Sequence, residues 1–160
     1  MNRREKDILL KAQLEKSVCL LEKTKAVLDI SFEKCKRIPL TKELSEEDLE
    51  SFEALTARFA RFLDIAFQRV LKTTFLLLRE TPGAVIDHAA LAEKLKILPS
   101  SEVFLELREL RNLIAHEYAE EDLRKLFKSI LRTRKHLNSL FSSLTAFCRK
   151  STRLLGSAAS

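Results

Sequence analysis

The sequence predicts an all-α protein, specifically an antiparallel four-helix bundle with one short extra helix. Its 160 residues include only 2 Gly and 3 Pro, and 46% of them are hydrophobic. An all-β chain needs a turn about every ten residues, and this chain has too few turn-forming residues to supply them. The apolar content is enough for one core, so we expect a single domain over residues 1–160.

The first two helices are predicted from apolar spacing and from their boundaries. Helix one is expected from about Asn2 to beyond Leu28. Pro39 ends any helix before it, and Ser45 with Asp48 resembles a helix cap. Helix two has two apolar stripes and can therefore cover two neighbours, of which one is either more of the same chain or a second subunit. The stripes are Phe52, Leu55, Phe59, Phe62, Ala66 and Val70, and beside them Leu63, Phe67, Leu71 and Phe75.

The second half of the chain is divided by turn-forming residues. Residues 81–83 read Thr-Pro-Gly and mark a turn. Asp87 is predicted to cap a short helix over residues 88–98, and Ser100 or Ser101 to start the next one. The apolar face of that next helix consists of Val103, Leu107, Leu110 and Ile114.

The last predicted helix starts near Glu120 and is strongly basic. After Asp122 the chain has nine Lys or Arg and no acidic residue, within a net charge of +6. Such an element favours phosphate-bearing partners, although a solvated helix face gives the same pattern. Arg134 lies in its apolar stripe, where a buried stem and an outward guanidinium are expected. Residues 156–160 are expected to fray. The candidate RNA-binding residues are Arg124, Lys125, Lys128 and Arg132.

Several classes of protein are not expected from this composition. The longest unbroken apolar runs are four residues, whereas a membrane-spanning helix needs about 20. Charged residues interrupt the first thirty positions, so no secretory signal is predicted and a cytoplasmic location is expected. Cys19, Cys35 and Cys148 are odd in number and widely spaced, which is typical of small buried hydrophobes. We therefore predict neither a metal site nor a cofactor.

The segment Arg111-Asn112-Leu113-Ile114-Ala115-His116-Glu117-Tyr118 holds the candidate functional residues. On an ideal helix Asn112 and His116 share one face, and that face is turned away from the core. Arg111 does not quite join them. Either the helix distorts near His116, or a two-fold partner brings a second copy of the segment against the first. The second alternative is preferred because helix two has surplus apolar surface.

These residue types suit cleavage of a phosphodiester. Histidine titrates near neutrality and can carry a proton to or from an oxygen. Arginine supplies a permanent charge for phosphate oxygens, and asparagine can position either group by hydrogen bonding. In RNA the 2′-hydroxyl can be the nucleophile, so the protein need not supply one. Arg111 and His116 are therefore the candidate catalytic pair, with Asn112 in support.

The string RNLIAHEY resembles the motif of the HEPN superfamily, in the Arg-Asn-x-x-x-His-x-Tyr form of HepT-type toxins. The run Arg58-Phe59-Ala60-Arg61-Phe62-Leu63-Asp64 is also similar to that family. The resemblance implies a homodimeric, metal-independent endoribonuclease with a composite cleft. It also implies a nucleotidyltransferase antitoxin of the minimal (MNT) type, which would transfer AMP onto Tyr118.

Two alternatives remain open at the level of sequence. The chain could be a non-catalytic HEPN subunit that binds a nucleotidyltransferase or presents its substrate. It could also be a helical interaction module without a nucleic-acid role, which the basic last helix argues against only mildly.

Overall fold

Helix α1 spans Arg3–Cys35 in the computed structural model of the chain, which describes residues 2–116 and 119–157. Its start is fixed by a reciprocal cap. The Glu5 amide donates to the side chain of Asn2 over 3.0 Å, and the Asn2 amide donates to the carboxylate of Glu5 over 2.8 Å. Two amides that the helix itself leaves without acceptors are thereby bonded. The predicted first helix is confirmed.

The second predicted helix is a longer and less regular rod. Helix α2 (Glu46–Asp64) starts after the cap at Ser45, as predicted. A π-helical segment, Ile65–Leu71, follows without a break and leads into α3 (Lys72–Leu77). We call α2, the π-helical segment and α3 together the central rod. The π-helical segment was not predicted, because the apolar spacing was interpreted as one α-helix.

Both apolar stripes of the central rod are covered within the chain. Every residue of the first stripe is fully buried, and in the second only Phe67 is partly exposed. Helices α1, α5 and α6 pack against the rod. The surplus apolar surface that favoured a second subunit is therefore already occupied, and that argument for a dimer was wrong.

The two helices after the rod differ in how well they were predicted. Helix α4 is Val85–Lys94, which starts and ends earlier than expected. It starts earlier because Asp87 lies inside its first turn and accepts a hydrogen bond from the Ala84 amide over 2.9 Å. It ends earlier because Lys96 takes a left-handed conformation with φ of 56°. Helix α5, Ser101–Leu113, starts after Ser100, as predicted.

The predicted last helix is two helices, α6 (Glu120–Arg132) and α7 (Arg134–Ser157). At the break between them, the hydroxyl of Thr133 donates to the carbonyl of Ile130 over 2.7 Å. Such local bonds compete with regular helical pairing. The expected frayed tail, residues 156–160, is helical as far as Ser157, and residues 158–160 lie outside the described residues.

Arg134 behaves as predicted for a side chain with a buried stem. Its guanidinium lies over the ring of Phe32, 5.6 Å from the ring centroid, and pairs with Glu33. Hydrogen bonds from Lys36 and Arg134 lower the pKa of Glu33 to about 2. Arg134 therefore joins α7 to α1.

The three cysteines fall into two groups. Cys35 and Cys148 are buried, as predicted, whereas Cys19 is exposed, so the prediction was wrong for Cys19. Burial raises the pKa of Cys35 to about 11, and burial likewise raises the pKa of Cys148. Both buried thiols are thus held in their unreactive protonated form.

The residues described confirm an all-α fold, since all their regular elements are helical. The antiparallel four-helix arrangement and the single domain over residues 1–160 stay predictions. Among the described residues, no helix is both long and apolar enough to cross a membrane.

Thiol labelling tests the packing of α1 and α7. With iodoacetamide at pH 8, Cys19 is expected to react within minutes, whereas Cys35 and Cys148 should react only after denaturation. Intact mass spectrometry over time counts the labels, and peptide mapping assigns them. Rapid labelling of all three sites in the folded protein would contradict this packing.

Candidate functional site

The most specific polar contact of the candidate segment joins Arg111, at the end of α5, to Asp64, at the end of α2. Arg111 Nε donates to Asp64 Oδ1 over 2.6 Å, and Nη2 donates to Oδ2 over 2.9 Å. One edge of the guanidinium is thereby fixed in a bidentate pair. Nη1 makes no hydrogen bond with a described residue. Arg111 is therefore oriented and keeps donors for a ligand.

The electrostatics of this pair match its geometry. The hydrogen bond to Asp64 is the main reason that the pKa of Arg111 is raised above its ordinary value, while partial burial opposes the shift. The side chains are 36% and 43% exposed. Water screens a pair this exposed, so its contribution to stability is small. Its main effect is to hold Arg111 in one orientation.

Arg111 and Asp64 form part of the wall of a wide groove with a volume of about 1190 Å³. Ligand sites in proteins are commonly about 300 to 1,000 Å³, so the groove can hold a nucleotide-sized or larger molecule. Its walls come from the central rod, α1, α4 and α5, and Asn112 is one of the lining residues. Among the lining residues that the structure describes, five are cations, Arg61, Arg69, Lys72, Arg108 and Arg111, and Asp64 is the single carboxylate.

The π-helical segment supplies much of the groove. Its residues Ile65, Phe67, Gln68, Arg69 and Leu71 all line it. A π-helical turn is wider than an α-helical turn and is often found at functional sites. The irregular part of the rod therefore coincides with the groove.

His116 does not stack on Asn112, because the helix ends before it. Helix α5 stops at Leu113, and the amides of Ala115 and His116 donate three residues back over 3.2 and 3.1 Å, to the carbonyls of Asn112 and Leu113. The expectation that one α-helix face holds both side chains was wrong. Both are exposed, as predicted. Of the two, Asn112 lines the groove and His116 does not.

Tyr118 lies outside the described residues. The role that the resemblance implies for it stays a prediction.

The four basic residues predicted to bind RNA differ in their surroundings. Arg124 Nη1 donates to the carbonyls of Leu40 and Lys42 over 2.8 and 2.6 Å, so this side chain fastens the loop between α1 and α2 to α6. Sequence analysis did not anticipate that structural contact. The other three, Lys125, Lys128 and Arg132, are exposed. Their interaction with RNA stays a prediction.

The row of polar residues along the groove from Arg61 to Lys72, which we call the polar floor, was not predicted from the sequence. Residues Arg61, Asp64, Gln68 and Lys72 recur every three or four positions along the central rod, between the apolar stripes. This spacing places them on one face of a helix. A search for polar as well as apolar periodicity would have found them.

His88 also lines the groove. Its Nδ1 lies 2.8 Å from the carbonyl oxygen of Ala84. A carbonyl can only accept, so in the neutral ring Nδ1 carries the hydrogen and Nε2 is the basic nitrogen. The ring also packs against Phe75, with 5.8 Å between centroids.

No group of three or more His, Cys, Asp or Glu placed to hold a metal ion occurs among the described residues. Comparison of the chain with protein-family models, with curated proteins and with solved structures found no match. The resemblance to HEPN proteins therefore remains a hypothesis that rests on the motif.

A double-mutant cycle tests the contact between Arg111 and Asp64. We expect the variants Asp64→Asn and Arg111→Gln to show a coupling of about 0.5 to 1 kcal/mol in the free energy of unfolding, because the pair is bidentate but half exposed. Urea denaturation of the parent, the two single variants and the double variant measures it.

The more exposed pair of Arg149 and Glu22, joined by one hydrogen bond of 2.6 Å, is the matched control and should show weaker coupling. Coupling in the control pair together with none between Arg111 and Asp64 would mean that Asp64 does not hold Arg111.

Proposed function

We propose that this protein is a metal-independent endoribonuclease of the HEPN type, the toxin subunit of a toxin and antitoxin pair. The observation that carries the proposal is the geometry of Arg111. Asp64 holds one edge of its guanidinium, the other edge makes no hydrogen bond with a described residue, and the side chain lines a groove with a strong excess of cations. An oriented cation of this kind suits a reaction in which charge develops on phosphate oxygens.

In the proposed reaction the 2′-hydroxyl of RNA attacks the adjacent phosphorus, and the bond from phosphorus to the 5′-oxygen breaks. His116 takes the proton of the 2′-hydroxyl or supplies one to the leaving oxygen, and water completes the other proton transfer. Arg111 donates hydrogen bonds to the phosphate oxygens as negative charge builds. Asn112 positions the imidazole or a phosphate oxygen. The products are a 2′,3′-cyclic phosphate and a free 5′-hydroxyl.

The same proposal includes a homodimer with a composite cleft. Within one chain Arg111 and Asn112 line the groove, whereas His116 lies in the turn after α5 and does not. A second copy of the segment would supply the missing histidine. The proposed dimer is supported by the position of His116 outside the groove and not by the apolar surface of the central rod.

Regulation by an antitoxin completes the proposal. A nucleotidyltransferase of the MNT type would transfer AMP from ATP onto Tyr118, two residues after His116 in the sequence. The adduct would add phosphate charge and adenosine bulk next to the catalytic histidine, and it would exclude RNA by repulsion and obstruction.

A second candidate function is a non-catalytic HEPN subunit that binds a nucleotidyltransferase or presents its substrate. The position of His116 outside the groove is the observation that favours it. Both candidates predict a complex with the nucleotidyltransferase, so binding does not separate them. Growth arrest on expression that Arg111→Ala abolishes would favour the nuclease.

Cleavage in the presence of a chelator tests the nuclease directly. Purified protein with EDTA should cut a single-stranded RNA, and His116→Ala should lower the rate by about 10² to 10⁴ through loss of proton transfer. Arg111→Ala should lower it by about 10² or more through loss of charge stabilisation. Gel electrophoresis of end-labelled RNA follows the products.

The control is His136→Ala, which removes a histidine on α7 that faces Glu106 at 3.7 Å. This variant should cut at the parent rate. Equal cutting by His116→Ala and the parent protein would show that the catalytic assignment is wrong.

A further inference from the structure

We infer that the groove beside Arg111 is the binding path of a single-stranded RNA segment, with phosphates on Arg61, Arg69, Lys72 and Arg108 and a base against Phe67. This inference rests on the proposed function, because it assigns the substrate path of the same site. It differs from the interpretation of the sequence, which placed RNA on the basic face of α6.

Four of the groove cations have no structural partner in the described part of the chain. The side chains of Arg61, Arg69, Lys72 and Arg108 make no ion pair or hydrogen bond with a described residue. Arginines that bridge other parts of the fold are bonded. They are Arg58 to Ser31, Arg79 to Asp7, Arg124 to a loop, Arg134 to Glu33 and Arg149 to Glu22.

The lining of the groove also has an excess of positive charge. Among the described residues, Asp64 is the only carboxylate in the lining, and Arg111 already neutralises it. The remaining four cations therefore set the potential of the groove. Concave surfaces lined by charge of one sign focus the field and attract ligands of the opposite sign. A polyanion with regularly spaced phosphates matches this potential.

The length of the cationic row also favours a strand of RNA. Arg61 and Lys72 lie near the two ends of the polar floor, eleven positions apart. An α-helix of this length would separate them by about 16 Å, and the π-helical residues 65–71 make the separation somewhat shorter. A strand of consecutive nucleotides places several phosphates along such a row, whereas a mononucleotide carries phosphate at one end only.

The groove also contains aromatic side chains, which can contact the bases of an RNA strand. Phe67 and Phe104 both line the groove, with ring centroids 4.4 Å apart and planes tilted by 44°. Phe104 is buried and holds Phe67, which is partly exposed. Aromatic side chains among cations are typical of single-strand sites, where unpaired bases stack on the rings. A duplex would hide its bases from Phe67.

Fluorescence anisotropy with a labelled 12-nucleotide RNA tests this path. Every protein in this test carries His116→Ala, so that the RNA stays intact. The substitution does not alter the groove itself, because His116 is not one of its lining residues. The groove variant is Arg61→Gln, Arg69→Gln and Lys72→Gln. We expect its Kd to rise at least about tenfold. The slope of log K against log salt should fall by about 2, since a single-strand phosphate contact contributes about 0.7.

The matched control variant is Lys125→Gln, Lys128→Gln and Arg132→Gln, which removes the same charge from the exposed face of α6. It should change the Kd less than threefold. A larger loss in this variant than in the groove variant would overturn the inference and restore the α6 face as the RNA site.

Two further measurements separate the ligand classes. Phe67→Leu should weaken RNA binding about fivefold or more through loss of stacking, and ultraviolet crosslinking should place RNA on peptides from the central rod. Blunt duplex RNA that binds as tightly as the single strand would overturn the inference, and so would full competition by equimolar AMP or ATP.

The variants are checked for folding by circular dichroism and urea denaturation, and Arg108→Gln alone provides a single-site version of the test. Because RNA binding is measured without cleavage, the proposed nuclease activity and the proposed RNA path can fail separately. RNA binding in the groove together with no cleavage by the parent protein would refute the nuclease and keep the path.

Discussion

Burial of the central rod is the constraint on which the rest of the structure depends. Its two apolar stripes pack against α1, α5 and α6, and burial of large apolar side chains is the main driving force for folding. Only one strip of the rod is left for polar residues, which recur at Arg61, Asp64, Gln68 and Lys72. The position of the groove therefore follows from the way in which the core is filled.

The same residue type has different tasks in different parts of the fold. Arg124 and Arg134 join elements because carbonyl or carboxylate oxygens are within reach of their guanidinium groups. Arg111 is intermediate, since Asp64 holds one edge of its guanidinium and the other edge has no hydrogen-bond partner among the residues that the structure describes. Charge counted along the sequence cannot separate these cases. Partners brought together by folding decide whether an arginine is structural or available.

Helix starts that depend on neighbouring residues could be predicted from the sequence, whereas contacts between residues far apart in the sequence could not. The starts of α2 and α5 were predicted because Ser45 and Ser100 cap amides two or three residues away, and the start of α1 was predicted from apolar spacing. The break after Arg132 was missed, since no proline or glycine marks it. The end of α5 before His116 was anticipated only as the less favoured of two alternatives, a distortion of the helix near His116. Asp64 was missed as a partner of Arg111 because the two residues lie 47 positions apart.

Part of the candidate site was predicted, because its motif residues lie close together in the sequence. The motif located Arg111 and Asn112, and both line the groove. The π-helical segment was hidden because the apolar residues Leu63, Phe67, Leu71 and Phe75 look like a continuous α-helical stripe, although their regular spacing of four is wider than an α-helical turn. This segment has an evolutionary consequence. Deleting one codon between Ile65 and Leu71 would remove the extra residue that the wider turns accommodate and restore α-helical pairing. A single deletion would therefore change which residues line the cavity, while the helices on either side stay nearly in phase.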